Sequence, residues 1–500
     1  MRGHASSGGP LEFPRGGLGI IGTLGIVLLT VLIGYLATLD ALLLEVHFSP
    51  TGTNLLALAI LVALGVTVLK YPRLALISLV VFIFLNLSQL LVRFHSLPSV
   101  LQFAILPVAA TAWIHRDPRI GMARLGNSLT VSLFGYTLIV FFSTIRASDQ
   151  LLADQRCLML SKALALHCLV VLLARDRREL KWALWAVFGA AALLAGLGVW
   201  QVLTGQYGWE WGGLARVKYA QIYDTTFEPR VAGPLGDPNF FAQILLLALP
   251  LGLFASPRKA GRLKRVVICA SAMLIGAGII FSYSRGGALS LGVVLVLWVA
   301  LHRHDWSKLI LGIAVLLVLL LLVPGGFKRR MTTIPQILPG SGGVLHPDSS
   351  FENRKLLARA GWRLFETHFI LGVGAGNFTT HFDKFADEVG SAARDYDDPA
   401  QLHYPHNLYL EIGTETGVPG LMAFSIVLAA TFFQLSGARK RLLKAGDQET
   451  ADLARAMQVS CVGFLVSSIF LHLQYPRYFW LILALVAALS NVAQEKDARE

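Results

Sequence analysis

The stretch KWALWAVFGAAALLAGLGVWQVL, residues 181–203, contains a single charged side chain, Lys181, at its first position. Its apolar residues follow one another without alternation, which is typical of a helix of about 20 residues that crosses a bilayer and not of a barrel strand. Lipid offers backbone amides no hydrogen-bond partners, so a spanning segment must be a helix or part of a closed barrel. Similar runs recur along the 500 residues, of which 55% are hydrophobic and 15% charged. The sequence therefore predicts an all-α polytopic membrane protein.

The apolar runs predict about fourteen transmembrane helices. We place them near residues 18–39, 54–69, 74–93, 98–114, 128–145, 157–174, 181–203, 238–255, 266–282, 287–302, 308–324, 406–434, 453–473 and 476–492. The first of these runs is too long for the apolar part of a cleaved signal peptide, so we interpret it as a span.

Basic residues are concentrated in every second short loop between these spans. Cytoplasmic loops of membrane proteins are enriched in Lys and Arg, so the pattern predicts that both termini are cytoplasmic. The same loops account for the formal net charge of +13, and they do not form one basic face that could bind nucleic acid. Two long polar segments, 204–237 and 324–405, then fall on the outer side of the membrane.

The first outer segment contains two arginines followed by the start of a helix. Arg216 and Arg230 have planar guanidinium groups that suit bidentate phosphate binding. The following Asp237-Pro238-Asn239 begins a helix well, with Asp237 as the N-cap and proline in the first turn. Capping alone would explain Asp237 and Asn239, so a ligand-binding role for them is one of two alternatives.

A second feature, Ser284-Arg285-Gly286-Gly287, joins two predicted spans with almost no loop. An arginine at such a place costs free energy unless it is paired or reaches water. We interpret Arg285 as part of an outward-facing anion site. The alternative is a side chain that only snorkels to the membrane surface.

The larger outer segment is predicted to contain a helix from Phe351 to about His368. Apolar residues recur there at helical spacing, so the helix should lie on the membrane surface or pack over the spans. Its opposite face carries Arg354 and three further basic residues, either as a ligand-binding surface or as a solvated face. A glycine-rich turn follows at 372–376, without the context of a phosphate-binding loop.

The stretch from His403 to Gly417 marks where this segment re-enters the membrane. Histidine titrates near neutral pH, so His406 could act as a general base, with Tyr409 one turn away on the same helix face. A structural histidine is the alternative. His403 and His406 could bind a metal, but no third ligand follows at a suitable spacing, and the four cysteines show no metal-site spacing either. We therefore predict no metal and no cofactor.

Five short motifs occur in order on this predicted outer side. They are Arg230-x-x-Gly-Pro-Leu-Gly-Asp237-Pro-Asn239, Ser284-Arg285-Gly-Gly287, Gly372-Val-Gly374-x-Gly376-Asn377, His406-Asn407-x-Tyr409 and Glu415-x-Gly417-x-x-Gly420. Together they resemble the O-antigen ligase and O-antigen polymerase (Wzy-like, WaaL-like) superfamily of bacterial envelopes, over about residues 200–490.

The resemblance implies a GT-C-like glycosyltransferase of the bacterial inner membrane with its active site facing the periplasm and a helical periplasmic loop domain. It would move a glycan, for O-antigen or exopolysaccharide, from an undecaprenyl diphosphate carrier to a sugar hydroxyl on lipid A-core or on another lipid-linked unit, with inversion and without metal. A chain-length regulator would be an optional partner. The implied catalytic residues are His406 as base with Arg285 and Arg230 as a diphosphate clamp. The implied substrate-binding residues are Arg216, Arg354, Asp237, Asn239, Ser284, Asn407 and Tyr409.

These expectations divide the chain into six parts. They are a cytoplasmic tail at 1–17, N-terminal spans at 18–203, a ligase-like core with the first periplasmic loop at 204–323, a large periplasmic loop at 324–405, C-terminal spans at 406–492 and a cytoplasmic tail at 493–500.

A transporter or flippase of lipid-linked oligosaccharide is the main alternative function. Transporters tend to have internal repeats and ionisable groups near the bilayer midplane. This sequence shows no clear repeat, and its informative charges lie at the outer boundary. We therefore favour transfer chemistry, and the choice between ligase and polymerase stays open.

Overall fold

A computed structural model describes residues 69–95, 108–112, 118–223, 226–254, 261–302, 349–382, 404–473 and 476–497. The predicted spans near 18–39 and 308–324 and both predicted terminal tails, apart from 493–497, lie outside these residues. So do nearly all of the span near 54–69 and most of the span near 98–114.

The described part is mostly helical. Its helices are α1 Pro72–Phe84, α2 Leu87–His95, α3 Pro118–Leu125, α4 Ser128–Ser143, α5 Gln150–Leu173, α6 Arg177–Thr204, α7 Pro238–Phe254, α8 Arg262–Phe281, α9 Arg285–His302, α10 Ser349–His368, α11 Leu408–Lys444, α12 Gln448–Ser467 and α13 Pro476–Asp497. A two-stranded antiparallel hairpin, β1 Val217–Tyr223 and β2 Thr226–Val231, lies in the first outer segment. The all-α prediction missed this hairpin.

Seven of the described helices are long and apolar enough to cross a membrane. Helices α1 and α2 form an eighth candidate if they are one span, bent by 56°, in place of the span predicted near 74–93. Two further predicted spans correspond to α7, which is apolar but has only 17 residues, and to α12, which carries charged residues in its first two turns. The polytopic membrane character is confirmed, and the number fourteen stays a prediction.

Helix α13 lies at the centre of the bundle. In its most apolar 18-residue stretch 94% of the residues are buried, against 33% in the corresponding stretch of α9. The helix packs against α5, α6, α11 and α12. Near its start Tyr478 meets Phe84 edge to face at 5.6 Å, and Phe479 stacks on Phe464 at 4.3 Å. A helix this apolar therefore contacts other helices on all sides instead of lipid.

Helix α11 is broken at Gly417, where φ is 65° and ψ is −162°. Pro419 has no N–H to donate to the carbonyl of Glu415, four residues earlier. That carbonyl instead accepts from Gly374 N at 3.0 Å, and the carbonyl of Thr414 accepts from Val373 N at 2.9 Å. The segment 408–416 is therefore a short half-helix, and the glycine-rich turn supplies hydrogen bonds to the carbonyls at its C-terminal end.

The predicted helix of the larger outer segment is confirmed as α10, and it packs over the spans. Leu357, Ala360 and Leu364 form a small buried cluster with side chains that follow the glycine-rich turn. A Cβ atom at Gly361 would lie 2.7 Å from the side chain of Leu410, so α10 approaches α11 closely. Trp362, at a neighbouring position, is 56% exposed.

Candidate active site

Arg230 on β2 connects the start of α7 with the turn that precedes α9. Its Nε donates to the carbonyl of Ser282 at 2.9 Å, and its Nη2 donates to Oδ1 of Asn239 at 3.2 Å. The side chain is buried, as is Arg285, the first residue of α9 (8% exposed). The structure therefore brings the Arg230 segment and the Arg285 segment together, and the burial of Arg285 disfavours a side chain that merely snorkels to the surface.

The glycines of the Ser284-Arg285-Gly286-Gly287 turn allow other segments to come close. A Cβ atom at Gly287 would lie 2.7 Å from that of Ala242 on α7, and one at Gly286 would lie 3.0 Å from the side chain of Phe470. Phe470 belongs to the connector between α12 and α13, residues 468–473. The start of α9 is thus in contact with both α7 and this connector.

Three helices start at this place, and their N-caps are residues of the predicted site. Asp237 Oδ1 accepts from Asn239 N at 2.7 Å, Ser284 Oγ accepts from Gly287 N at 3.1 Å, and Asn407 Oδ1 accepts from Leu410 N at 2.9 Å. The predicted capping by Asp237 is confirmed. Asn239 does more than belong to a cap, because it accepts from Arg230.

His406 lies just before α11 and not on it. Asn407 caps the helix, and His406 has a left-handed φ of 46°, so the expectation that His406 and Tyr409 share one helix face is wrong. Tyr409 instead donates from its hydroxyl to the carbonyl of Leu465 at 2.9 Å, which fastens α11 to α12. A non-glycine residue with positive φ is uncommon and costs free energy, and such residues cluster at functional sites.

The imidazole of His406 is neutral at neutral pH. Burial, with a smaller contribution from the positive charge of Arg354, lowers its pKa to about 4, although the carboxylate of Asp237 acts in the opposite direction. Its Nδ1 is buried and has no hydrogen-bond partner among the described residues. Arg354 and Asp237 therefore act electrostatically on the same ring, which carries an unprotonated nitrogen.

His472 in the connector is a further member of this cluster that the sequence analysis missed. Its ring stacks on Tyr404 at 4.2 Å and meets His406 at 5.4 Å and Phe240 at 5.2 Å, in both cases edge to face. Burial lowers its pKa well below 6.5, and the positive charges of nearby arginines add to the effect. The polar residues of His472-Leu-Gln-Tyr-Pro-Arg477, a stretch that overlaps the end of the predicted span 453–473 and the start of 476–492, are the signal that could have identified it.

A buried ion cluster holds the connector in place. Arg156 on α5 donates to the carboxylate of Glu411 and, at 2.9 Å, to the carbonyl of Leu473; Glu411 accepts from Leu473 N at 2.6 Å. Glu415 lies 3.8 Å from Arg156 Nε. The partners of Arg156 lie more than 250 positions away in the sequence, so no local pattern predicts the cluster.

Two predicted site residues lie at the margin of this cluster. The guanidinium of Arg216 lies against Gly236, next to Asp237, and over the ring of Phe94 at 5.6 Å. Arg354 is partly buried on α10. The structure thus brings all of the predicted site residues to one end of the bundle, with Tyr409 acting there as a helix anchor.

The glycine-rich turn is a structural element of the same end. Gly372, Gly374 and Gly376 all have positive φ, and a Cβ atom at Gly374 would lie 2.7 Å from the backbone of Ala147. Asn377 is fully buried; its Oδ1 accepts from Asp149 N at 2.7 Å and its Nδ2 donates to Asp149 O at 3.0 Å. The turn therefore joins the start of α5 to the half-helix of α11.

His403 lies outside the described residues. Within the described ranges, no group of three or more His, Cys, Asp or Glu side chains could hold a metal ion.

The family model described as O-antigen ligase matches residues 270–425, from α8 into α11. The match includes Arg285, Arg354 and His406 and excludes Arg230 and Asp237. It confirms the resemblance to the O-antigen ligase and polymerase family within a narrower range than 200–490. No curated protein matches the chain.

Proposed function

We propose, from the assignment of this chain to the O-antigen ligase and polymerase family, that it transfers a glycan from undecaprenyl diphosphate to a sugar hydroxyl. The family match points to a glycan-transferring membrane enzyme of polysaccharide assembly. The observation that carries the finer proposal is a neutral, buried His406 in a cluster that also contains buried arginines. We propose that this end faces the periplasm and that both termini are cytoplasmic, as the basic loops predict.

The cluster is suited to a diphosphate. Arg230 and Arg285 are both buried, and Arg230 donates to the carbonyl of Ser282, which lies in the turn before Arg285. Arg354 lies close enough to lower the pKa of His406. The starts of α7, α9 and α11 add the positive ends of three helix dipoles. Fixed positive charge of this kind stabilises the negative charge that develops on a leaving diphosphate, and it can do so without a metal ion.

His406 is suited to accept the proton of the attacking hydroxyl. As the new C–O bond forms at the anomeric carbon, the bond to the diphosphate breaks, its electron pair leaves with the diphosphate, and the hydroxyl proton moves to the imidazole. One such displacement inverts the anomeric centre. A pKa of about 4 makes the free imidazole a weak base, but a bound diphosphate would offset the charge of Arg354 and raise its basicity.

The broken helix α11 does not favour the transporter alternative. Transporters use broken helices to expose free carbonyls to a substrate cavity. Here the carbonyls of Thr414 and Glu415 are already bonded to Val373 and Gly374. The break therefore serves to hold the glycine-rich turn.

A transfer assay tests the proposal with purified protein, lipid-linked glycan from the host membranes, and reactions with and without a distinct acceptor. His406→Ala should lower the rate about 10²- to 10⁴-fold, the range for loss of a general base. Arg285→Ala should weaken binding of the donor lipid. His302→Ala and Arg363→Ala, at positions outside the cluster, serve as controls.

Full transfer by a folded His406→Ala protein would show that His406 is not the base. Unchanged donor binding by Arg285→Ala would refute the diphosphate clamp. Transfer that needs the distinct acceptor indicates a ligase, and chain growth without it indicates a polymerase.

A further inference from the structure

We propose that His472 binds a sugar hydroxyl next to the bond that is made or broken, as a second imidazole of the active site. The inference rests on the proposed function, because it takes a glycan as the ligand. It concerns a residue outside the range of the family match, which ends at 425.

Two aromatic contacts and the bonded backbone of the next residue hold the ring of His472 in one orientation. Tyr404 stacks on it nearly parallel, at an interplanar angle of 5°, and Phe240 meets it at 90°. The backbone of the next residue, Leu473, is bonded through its carbonyl to Arg156 and through its N–H to Glu411. These contacts fix the orientation of the ring, and a fixed orientation is what a specific hydrogen bond requires.

Both ring nitrogens of His472 are buried and have no hydrogen-bond partner among the described residues. Leaving a buried polar group without a partner costs about 1–3 kcal/mol, so a ring that carries two such atoms indicates a ligand that supplies both bonds. Only 5% of the residue is exposed. The ring has thus lost contact with bulk water without gaining a protein partner.

The chemistry of the ring favours a hydroxyl over a phosphate. His472 is neutral, because burial and, to a lesser extent, the positive charges of Arg156 and Arg354 lower its pKa. A neutral imidazole offers one N–H donor and one acceptor nitrogen. A sugar carries several hydroxyls, each of which both donates and accepts, so two neighbouring hydroxyls can satisfy both nitrogens. Phosphate oxygens only accept and would leave the acceptor nitrogen unpaired.

His472 and the proposed base His406 are separated by about the width of one sugar ring. Its ring centroid lies 5.4 Å from that of His406, the proposed base. A base lies about 3 Å from the hydroxyl that it deprotonates, so a second imidazole at this distance reaches a neighbouring hydroxyl. That hydroxyl belongs either to the donor sugar or to the acceptor sugar.

The experiment compares His472→Phe, which keeps the aromatic packing and removes both nitrogens, with His472→Gln, which keeps a donor and an acceptor. The matched control is His302→Phe, because His302 also packs between aromatic rings, at 5.0 Å from Phe254 and 5.2 Å from Trp298, at the far end of α9. Thermal melting verifies that each variant is folded. The measurements are the kcat and the acceptor KM for transfer, and the Kd values for bare undecaprenyl diphosphate and for the lipid-linked glycan purified from host membranes.

His472→Phe should lower kcat/KM about 10- to 100-fold, the factor for leaving a polar partner unpaired, while His472→Gln retains most of it. A weaker Kd for the glycan-linked lipid alone assigns the hydroxyl to the donor, and a raised acceptor KM assigns it to the acceptor. If His472→Phe behaves like His302→Phe in every measurement, the nitrogens are satisfied by water and the proposal is overturned. If His472→Phe does not fold, His472→Asn and His472→Gln are compared instead, and equal loss in both overturns it.

Failure of the proposed function gives a different pattern. Wild-type protein without transfer activity, or a fully active His406→Ala variant, would contradict the transfer mechanism. Kd values for bare lipid, for glycan-linked lipid and for the acceptor still test His472 in that case, since binding requires no turnover; unchanged values for all three in His472→Phe overturn the proposal.

Discussion

Replacing Arg156 by methionine should destabilise the protein strongly. The change removes the cation that binds Glu411, holds the carbonyl of Leu473 and lies 3.8 Å from Glu415. The exposed fractions of the side chains are 12% for Arg156, 2% for Glu411 and 6% for Glu415. Because both carboxylates are nearly inaccessible to water, loss of the cation leaves buried charge uncompensated.

Removing one partner of a buried ion pair costs about 3–5 kcal/mol in free energy of unfolding. We expect Arg156→Met to lose an amount in this range. Reversible unfolding of the protein by SDS in mixed micelles, followed by circular dichroism, measures the difference. Adding Glu411→Gln and Glu415→Gln to Arg156→Met should restore part of the loss, since neutral amides no longer carry the unpaired charge.

The matched control is Arg363→Met. Arg363 pairs with Glu366 at 3.2 Å on the exposed face of α10, with side chains that are 65% and 44% exposed. Surface pairs of this kind contribute about 0–1 kcal/mol. If Arg156→Met and Arg363→Met lower the unfolding free energy equally, the buried cluster does not hold the connector and the reasoning is refuted.

Two further predictions concern the turn and the histidine. Gly372→Ala should lower the free energy of unfolding by about 1–3 kcal/mol, because φ is +72° and the added Cβ atom would clash with the backbone of Glu415. The control is Gly189→Ala in a helix, where the added Cβ atom meets nothing within 4 Å and should not destabilise the protein. Thermal melting compares the two variants, and equal melting temperatures would contradict the prediction. His406 has a pKa of about 4 when folded and about 6.5 when unfolded, so the unfolded chain binds more protons in between. Stability should therefore fall as pH decreases from 6.5 to 4, and less steeply in His406→Gln; parallel curves for both proteins would argue against a depressed pKa.

The membrane helices were predictable because lipid leaves the backbone few choices. The run at 181–203 corresponds to α6, Arg177–Thr204, with an offset of a few residues at its start. Helix α10 was predictable because Leu357 and Leu364 recur at helical spacing. The cap at Asp237 was predictable because capping is a local interaction between a side chain and the amides two and three residues later.

Features that depend on distant partners were not predictable. The break in α11 depends on Pro419 and on carbonyls that bond to a turn more than 40 positions earlier. The position of His406 outside the helix follows from the cap hydrogen bond of Asn407, which makes Leu408 the first helical residue. Arg156 has no sequence signal at all, since its role is set by Glu411 and Leu473.

The hairpin of β1 and β2 was not predicted, because its segment was interpreted from the chemistry of its side chains and not from its backbone pattern. Lys218 pairs opposite Arg230 across the two strands. Arg230 was identified from its chemistry, but the strand that directs it towards Ser282 and Asn239 was not.

The central position of α13 has a consequence for the order in which the protein is made. Translation delivers α13 after every other described helix, yet α13 lies among them, in contact with α5, α6, α11 and α12. A nascent chain that ends before Pro476 therefore leaves an unfilled groove in the middle of the bundle, and its connector with His472 lacks the helix that follows it. Insertion must keep α5, α6 and α11 apart, or let them separate again, until this last described helix leaves the translocation machinery.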